Sequence, residues 1–276
     1  MAWLAVTAQI GFDLVEMMIT AQRRKLILEY LREHGGGSIV EIAAMLGSSR
    51  SSVRRDLDHL AGLGSITRSR GGAVLDSHPL TTFEPPGKLR AATFQAEKMA
   101  IGRAAADLVE TGQSVIFDSS TTVREAAKAV GMRDMAVTAC TNDLEVAIAL
   151  ANRANIQVIV LGGTLRLGSP TIVGEPASSF LGKLHADIAL VGIHSVADGR
   201  LSETSVEVST IKRQMIKCAG RVAVLADSTK FEHPAFCEVC PLHEIDVVVS
   251  DSGLSDSAAE QVRECGAELV IAEVEA

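Results

Sequence analysis

Apolar positions recur at helical spacing in the first quarter of the chain and gather into short continuous runs after it. In AQRRKLILEYLREHG, Leu26, Ile27, Tyr30 and Leu31 line one face of a helix that Thr20 caps and Gly35 to Gly37 end. Ile39, Ile42, Ala43 and Leu46 repeat that spacing in a second helix. Ser38, with Glu41 three residues on, gives it a capping-box start, and Gly47 stops it. Ser49 then caps a third helix with Val53, Leu57 and Leu60 as its inner stripe. Beyond Gly64 the period changes: Ser65 to Ala73, SITRSRGGA, alternates and closes on glycines, as a β-hairpin with Arg68 and Arg70 at its tip would.

Residues 75–95 hold three prolines, turn residues and no apolar period, so they read as a linker between a unit at 18–74 and another at 96–276. In the second unit the apolar runs are Ser114–Phe117, Ala136–Ala139, Gln157–Leu161, Ile188–Ile193, Val222–Ala226 and Val247–Ser250, with Glu268–Ala272 as a seventh. Helical patterns separate them. Strands apolar throughout, alternating with helices, predict an α/β fold with a mostly parallel sheet covered on both faces. Residues 1–17 belong to no pattern and are either a real extension or translated upstream sequence, the second being expected, with Met17 or Met18 the natural start.

Composition changes the picture at one point. The net charge of −8 is wrong for a polyanion-binding protein until it is divided. Residues 21–72 carry nine Lys/Arg against five Asp/Glu, a net of +4, and the rest carries 17 against 29, a net of −12. A small basic module on an acidic body suits local phosphate attraction. An aromatic content of 3% argues against a stacking platform for single strands. Five cysteines without a paired pattern, and no signal peptide, predict a reducing cytoplasm; no apolar run is long enough for a membrane.

Two short helices joined by a tight turn, followed by a basic hairpin, form a winged helix-turn-helix, whose second helix offers its first residues to the major groove of double-stranded DNA. The candidate DNA contacts are Ser49, Arg50, Ser51, Ser52, Arg54 and Arg55 on that helix and Arg68 and Arg70 on the wing. Hydroxyls and guanidinium groups bond phosphates and base edges.

In a parallel α/β sheet, ligands bind beyond the carboxyl ends of the strands. Five polar loops fall there. Asp118-Ser119-Ser120-Thr121-Thr122 opens a helix, as anion sites do. Asn142 lies in the second loop, Gly162, Gly163 and Arg166 in the third, His194-Ser195 in the fourth, and Asp227 to Lys230 in the fifth. Hydroxyls with Arg166 and Lys230 suit a phosphate, while Asp118, Asn142 and Asp227 suit sugar hydroxyls. Glu207 and Lys212 either close this pocket or form an exposed helix pair. Cys237 and Cys240, flanked by His233 and His243, make a weak zinc pattern, and neither metal nor cofactor is expected.

RRDL from Arg54, RGGA from Arg70, DSSTT, TND, LGGTLR, DGRL, the Glu207 to Arg213 stretch and ADSTKF occur in that order. Together they resemble the DeoR family of bacterial transcription regulators over most of the chain. The family's usual glycine in DSGTT is Ser120 here. The resemblance implies a winged helix-turn-helix joined to a sensor domain similar in fold to ribose-5-phosphate isomerase. It implies a homo-oligomer, dimer or tetramer, that represses sugar or polyol catabolism genes and leaves operator DNA when a phosphorylated sugar or polyol binds. An isomerase-like enzyme with an appended DNA-binding module is the alternative; its base would be Asp118, Glu207 or Asp227, but no paired acid and base stand out, and no enzyme is expected.

Overall fold

A computed structural model describes residues 20–274, except 21, 25, 29, 32–33, 63–65, 76–80, 83, 85–86 and 232. The expectation for residues 1–17 lies outside the described residues. The chain divides into two compact units, Met1–Thr93 and Phe94–Ala276.

The first unit starts with helix α1, residues 20–34, helical at each described position. Strand β1 (Gly36–Ser38), α2 (Ile39–Met45), α3 (Arg50–Gly62), β2 (Ile66–Ser69) and β3 (Gly72–Leu75) follow. Ser38 and Glu41 form both bonds of the capping box that starts α2. The three strands pair antiparallel in the order β1-β3-β2, so glycines expected only to end α1 also lay down an edge strand. Ile27, Leu31, Ile42, Val53, Leu57 and Leu60 close a core with no exposed surface. Within the stretch expected as linker, Gly87–Ala92 form a further helix, α4.

The second unit runs α5 (Gln95–Ala106), β4 (Ser114–Phe117), α6 (Thr121–Gly131), β5 (Val137–Thr141), α7 (Leu144–Ala151), β6 (Ile156–Val160) and the short pair β7 (Thr164–Leu165) and β8 (Ile172–Val173). It continues through α8 (Ala177–Leu181), β9 (Ala186–Gly192), β10 (Ser195–Ala197), β11 (Arg200–Glu203), α9 (Val206–Lys217), β12 (Ala219–Leu225) and β13 (Cys237–Pro241). It ends with β14 (Val247–Asp251), α10 (Asp256–Glu264) and β15 (Glu268–Ala272). The expected runs form one parallel sheet of seven strands, ordered β15-β14-β12-β9-β4-β5-β6. Side chains leave alternate faces of each strand. In β9, Ile188 and Leu190 pack under α5, α6 and α7, while Ala189 and Val191 pack under α8 and α9. Burial on both faces is why the inner strands read as continuous apolar runs, while the edge strands β6 and β15 are only partly covered.

A second sheet, β10-β11-β13, was not foreseen. Its hairpin turns on Asp198 and Gly199, both at positive φ of 51° and 68°, the geometry a two-residue turn between twisted strands favours. Cys237 and Cys240 fall in β13, where a spacing of three points them to opposite faces.

Candidate functional site

The two units each carry candidate residues. In the first, Ser49 caps α3: its Oγ accepts from the Ser52 amide at 3.1 Å and contacts the hydroxyls of Ser51 (2.8 Å) and Ser52 (3.0 Å). Arg50, Ser51, Arg54 and Arg55 are exposed, and Ser52 is half-buried. Positions 51, 54, 55 and 58 share one helix face. The opposite face buries Val53, Asp56, Leu57 and Leu60. Asp56, 1% exposed, is held by Arg23 Nε at 2.5 Å and Arg24 Nε at 3.0 Å, which clamps α3 to α1. Arg70 lies in the turn between β2 and β3, exposed. Arg68 does not sit at the tip. It lies in β2, pairs through Nε with Asp58 at 3.1 Å, and donates through Nη1 to the Gly72 carbonyl at 2.9 Å. It ties the wing to α3.

In the second unit, β4 and β9 are neighbours, but the chain proceeds outward from them in opposite directions. Such a reversal opens a crevice at the strands' carboxyl ends. Asp118 leaves β4 there, fully buried; its backbone amide donates to the Leu190 carbonyl (3.1 Å) and its Oδ1 accepts the Ser120 amide (2.8 Å). Ser120 caps α6 by accepting the Val123 amide at 3.1 Å. Ser119, Thr121 and Thr122 are 9%, 9% and 5% exposed, and among the described residues their hydroxyls form no hydrogen bond within the chain. They stand at a helix start, where unsatisfied amides and the helix dipole favour an anion.

From the far side Lys212 of α9, 3% exposed, enters the same place. Its Nζ lies 3.1 Å from Asp118 Oδ2, donates to the Gly192 carbonyl at 2.8 Å, and donates to Glu203 of β11, itself 5% exposed. Burial alone lowers a lysine pKa, but the Glu203 and Asp118 carboxylates outweigh it and raise this one. The ammonium stays charged. Gly192 must lack a side chain, since a Cβ there would meet Ser120 Oγ at 2.0 Å.

The remaining candidates divide. Asn142, fully buried, donates through Nδ2 to the Ile172 carbonyl at 2.9 Å and anchors the β7–β8 hairpin, while its Oδ1 is buried with no partner among the described residues. Gly163, at φ +146°, lets that hairpin close: a Cβ would stand 2.6 Å from the Val173 carbonyl oxygen. Gly162 packs on Pro176. Arg166 is half-buried beside β7 and lies near Glu207. Glu207 is exposed; the Ser205 hydroxyl (2.6 Å) holds its pKa below the usual carboxylate range, with its own backbone and Arg166 adding to the shift. Lys230 is half-buried after β12. Asp227 accepts from the Thr229 amide and hydroxyl, and Asp251 of β14 braces that loop through the Ser228 amide at 2.7 Å. So the crevice itself gathers Asp118 to Thr122, while Arg166 and Glu207 lie on the segments around it.

Glu203 was absent from the residues weighed in the sequence, and Lys212 was weighed there only as closing the pocket or as half of an exposed pair; it is buried in the crevice. The signal for Lys212 was present: it shares the buried stripe Val208, Ile211, Met215 and Ile216 of α9, where a lysine is buried only with partners. Glu203 carried no comparable signal. Separately, buried Arg124 pairs with buried Asp143 (2.9 Å) and with exposed Glu145 (2.6 Å), bracing α6 against the start of α7. Burial raises the Asp143 pKa against the pull of Arg124 and the Val146 amide.

A basic-faced winged helix-turn-helix followed by an α/β unit with a switch-point crevice is the architecture of a DNA-binding regulator. Residues 23–78 match the DeoR-like helix-turn-helix domain and residues 93–252 the DeoR C terminal sensor domain; the chain belongs to the DeoR family. It is 32% identical to the HTH-type transcriptional repressor GlcR of Bacillus subtilis (strain 168), over 93% of this chain and 98% of the relative. It is 30% identical to the Glycerol-3-phosphate regulon repressor of Escherichia coli (strain K12), over 85% of this chain and 92% of the relative. Among solved structures, ribose 5-phosphate isomerase A from Methanocaldococcus jannaschii is similar over 50% of this chain and 55% of its own, at 16% identity and a TM-score of 0.39, a distant likeness that carries no chemistry across. No helix among the described residues is long and apolar enough to cross a membrane.

Proposed function

We propose that this chain is a cytoplasmic, sequence-specific repressor of genes for sugar or polyol catabolism, relieved by a phosphorylated sugar or polyol. The observation that carries the effector reading is the set of uncommitted hydroxyls on Ser119, Thr121 and Thr122 at the start of α6. They offer donors to a phosphate, next to carboxylates that accept from sugar hydroxyls. The relatives named above are repressors, one of them of a glycerol-3-phosphate regulon, which supports the same class of effector here. The exposed α3 face of Ser51, Arg54 and Arg55 reads operator DNA, and Arg70 holds the wing to its backbone. The protein works as a dimer or tetramer, and ligand favours an arrangement that no longer fits the operator.

The test is a gel shift of the full chain on DNA from upstream of its own gene, with and without a panel of sugar and polyol phosphates. One or more of these compounds is expected to release the DNA, and the same compounds to raise the melting temperature of the free protein. Sequence-specific binding that no phosphorylated compound alters would overturn the effector assignment. Absence of specific DNA binding would overturn the regulator reading.

A further inference from the structure

The Lys212 ammonium donates to the Gly192 carbonyl and to Glu203, and its third close oxygen, Asp118 Oδ2 at 3.1 Å, is an ion-pair contact outside hydrogen-bond geometry. Its charge is already shared among these three oxygens of the chain. The cluster also holds two carboxylates against one ammonium, a surplus negative charge in a site where Glu203, Lys212 and Asp118 are 5%, 3% and 0% exposed. A phosphate beside it would be repelled strongly, because burial reduces screening. One oxygen of Glu203 accepts from Lys212, and the other accepts no hydrogen bond among the described residues. An open carboxylate oxygen in such a place calls for a neutral donor, and a hydroxyl supplies one.

Resting on the sugar-phosphate reading of this crevice, we propose that Glu203 is its specificity-determining residue. Glu203 accepts a ligand hydroxyl and turns phosphate away toward the α6 hydroxyls. Lys212 is a positioning residue that holds Glu203 and Asp118 in place, and it does not anchor the phosphate. The site thereby discriminates a phosphorylated polyhydroxy compound from a bare phosphate, which has no hydroxyl-bearing carbon chain to offer.

Calorimetric titration of the full chain with inorganic phosphate, glycerol 3-phosphate, ribose 5-phosphate and glucose 6-phosphate tests this. Glu203→Gln keeps the acceptor for Lys212 but turns the open acceptor into a donor and removes the charge. It is expected to weaken the tightest of the three esters by about 10-fold or more, and to leave inorganic phosphate unchanged or bound more tightly. Glu203→Asp keeps the charge but draws it back by one methylene, and is expected to weaken the ester while leaving inorganic phosphate unchanged. Urea denaturation of each unliganded variant identifies any that fails to fold, and the other variant then carries the test. Equal losses for ester and inorganic phosphate would make Glu203 merely structural and overturn the proposal, as would undiminished ester binding in a folded variant. A wild-type chain that binds none of the three esters removes both the sugar-phosphate reading and this proposal. Ester binding that survives with unchanged selectivity removes this proposal alone.

Discussion

Ser120 and Gly192 divide one small space between the ends of β4 and β9: a Cβ on Gly192 would stand 2.0 Å from Ser120 Oγ and 2.3 Å from its Cβ. Ser120 uses that space to cap α6. Gly192→Ala is therefore expected to destabilise the sensor unit by about 1–3 kcal/mol, the usual cost of overpacking. Ser120→Gly frees the space and is expected to recover part of that loss in the double variant. Urea denaturation of all four members of the cycle checks this; strict additivity would mean that the two side chains do not compete.

Removing the Lys212 ammonium leaves two carboxylates buried without a cation. Lys212→Met is expected to cost about 3–5 kcal/mol, as breaking a buried pair does. Chemical denaturation of the full chain measures it, and a loss below about 1 kcal/mol would be the size of an exposed pair.

The same residue sets an alkaline limit. Its folded pKa is raised, so its contribution is fully present below the ordinary lysine value of 10.5 and is lost as pH rises through the folded value. The stability difference between wild type and Lys212→Met is expected to stay level from neutral pH to 10.5 and to shrink above it. A difference that already declines near neutral pH would contradict the charge arrangement.

On α3, exposed and buried charges are expected to behave oppositely. Arg54→Ala and Arg55→Ala are each expected to lower operator affinity and to reduce the slope of log affinity against log salt by about one for each phosphate left without its arginine, without moving the melting temperature. Asp56→Ala strips Arg23 and Arg24 of their shared partner and is expected to destabilise the unit by roughly 1–3 kcal/mol. Salt-titrated gel shifts and thermal melts separate the two effects.

The two wing arginines are also expected to differ. Arg70→Ala is expected to weaken DNA binding without altering the free protein. Arg68→Ala removes the ties to Asp58 and Gly72, and is expected to speed hydrogen exchange of the wing amides before any DNA is added. Equal exchange in the two variants would show that Arg68 has no structural role.

Much of this molecule is local, and local features were legible in the chain. A capping box needs only Ser38 and Glu41, three residues apart, and Ser49 caps α3 within one turn. The inner sheet strands, β4, β5, β9, β12 and β14, announced themselves because burial on both faces demands continuous apolar runs. The Asp198-Gly199 turn was equally local and marks a hairpin, yet the flanking residues showed too short an alternation to stand out as strands.

The chain alone determined the helix-turn-helix, the basic module and the α/β alternation, since each depends on spacing within one or two elements. Strand order was decided only by the tertiary structure, and with it the crevice between β4 and β9. Asp118, Gly192, Glu203 and Lys212 come from four elements and meet only once the sheet has assembled. Their charges are stable inside because each supplies the other's partner, a condition no single stretch of sequence displays. The same assembly ties Arg68 down within the wing, because Asp58 on the neighbouring helix takes its guanidinium group.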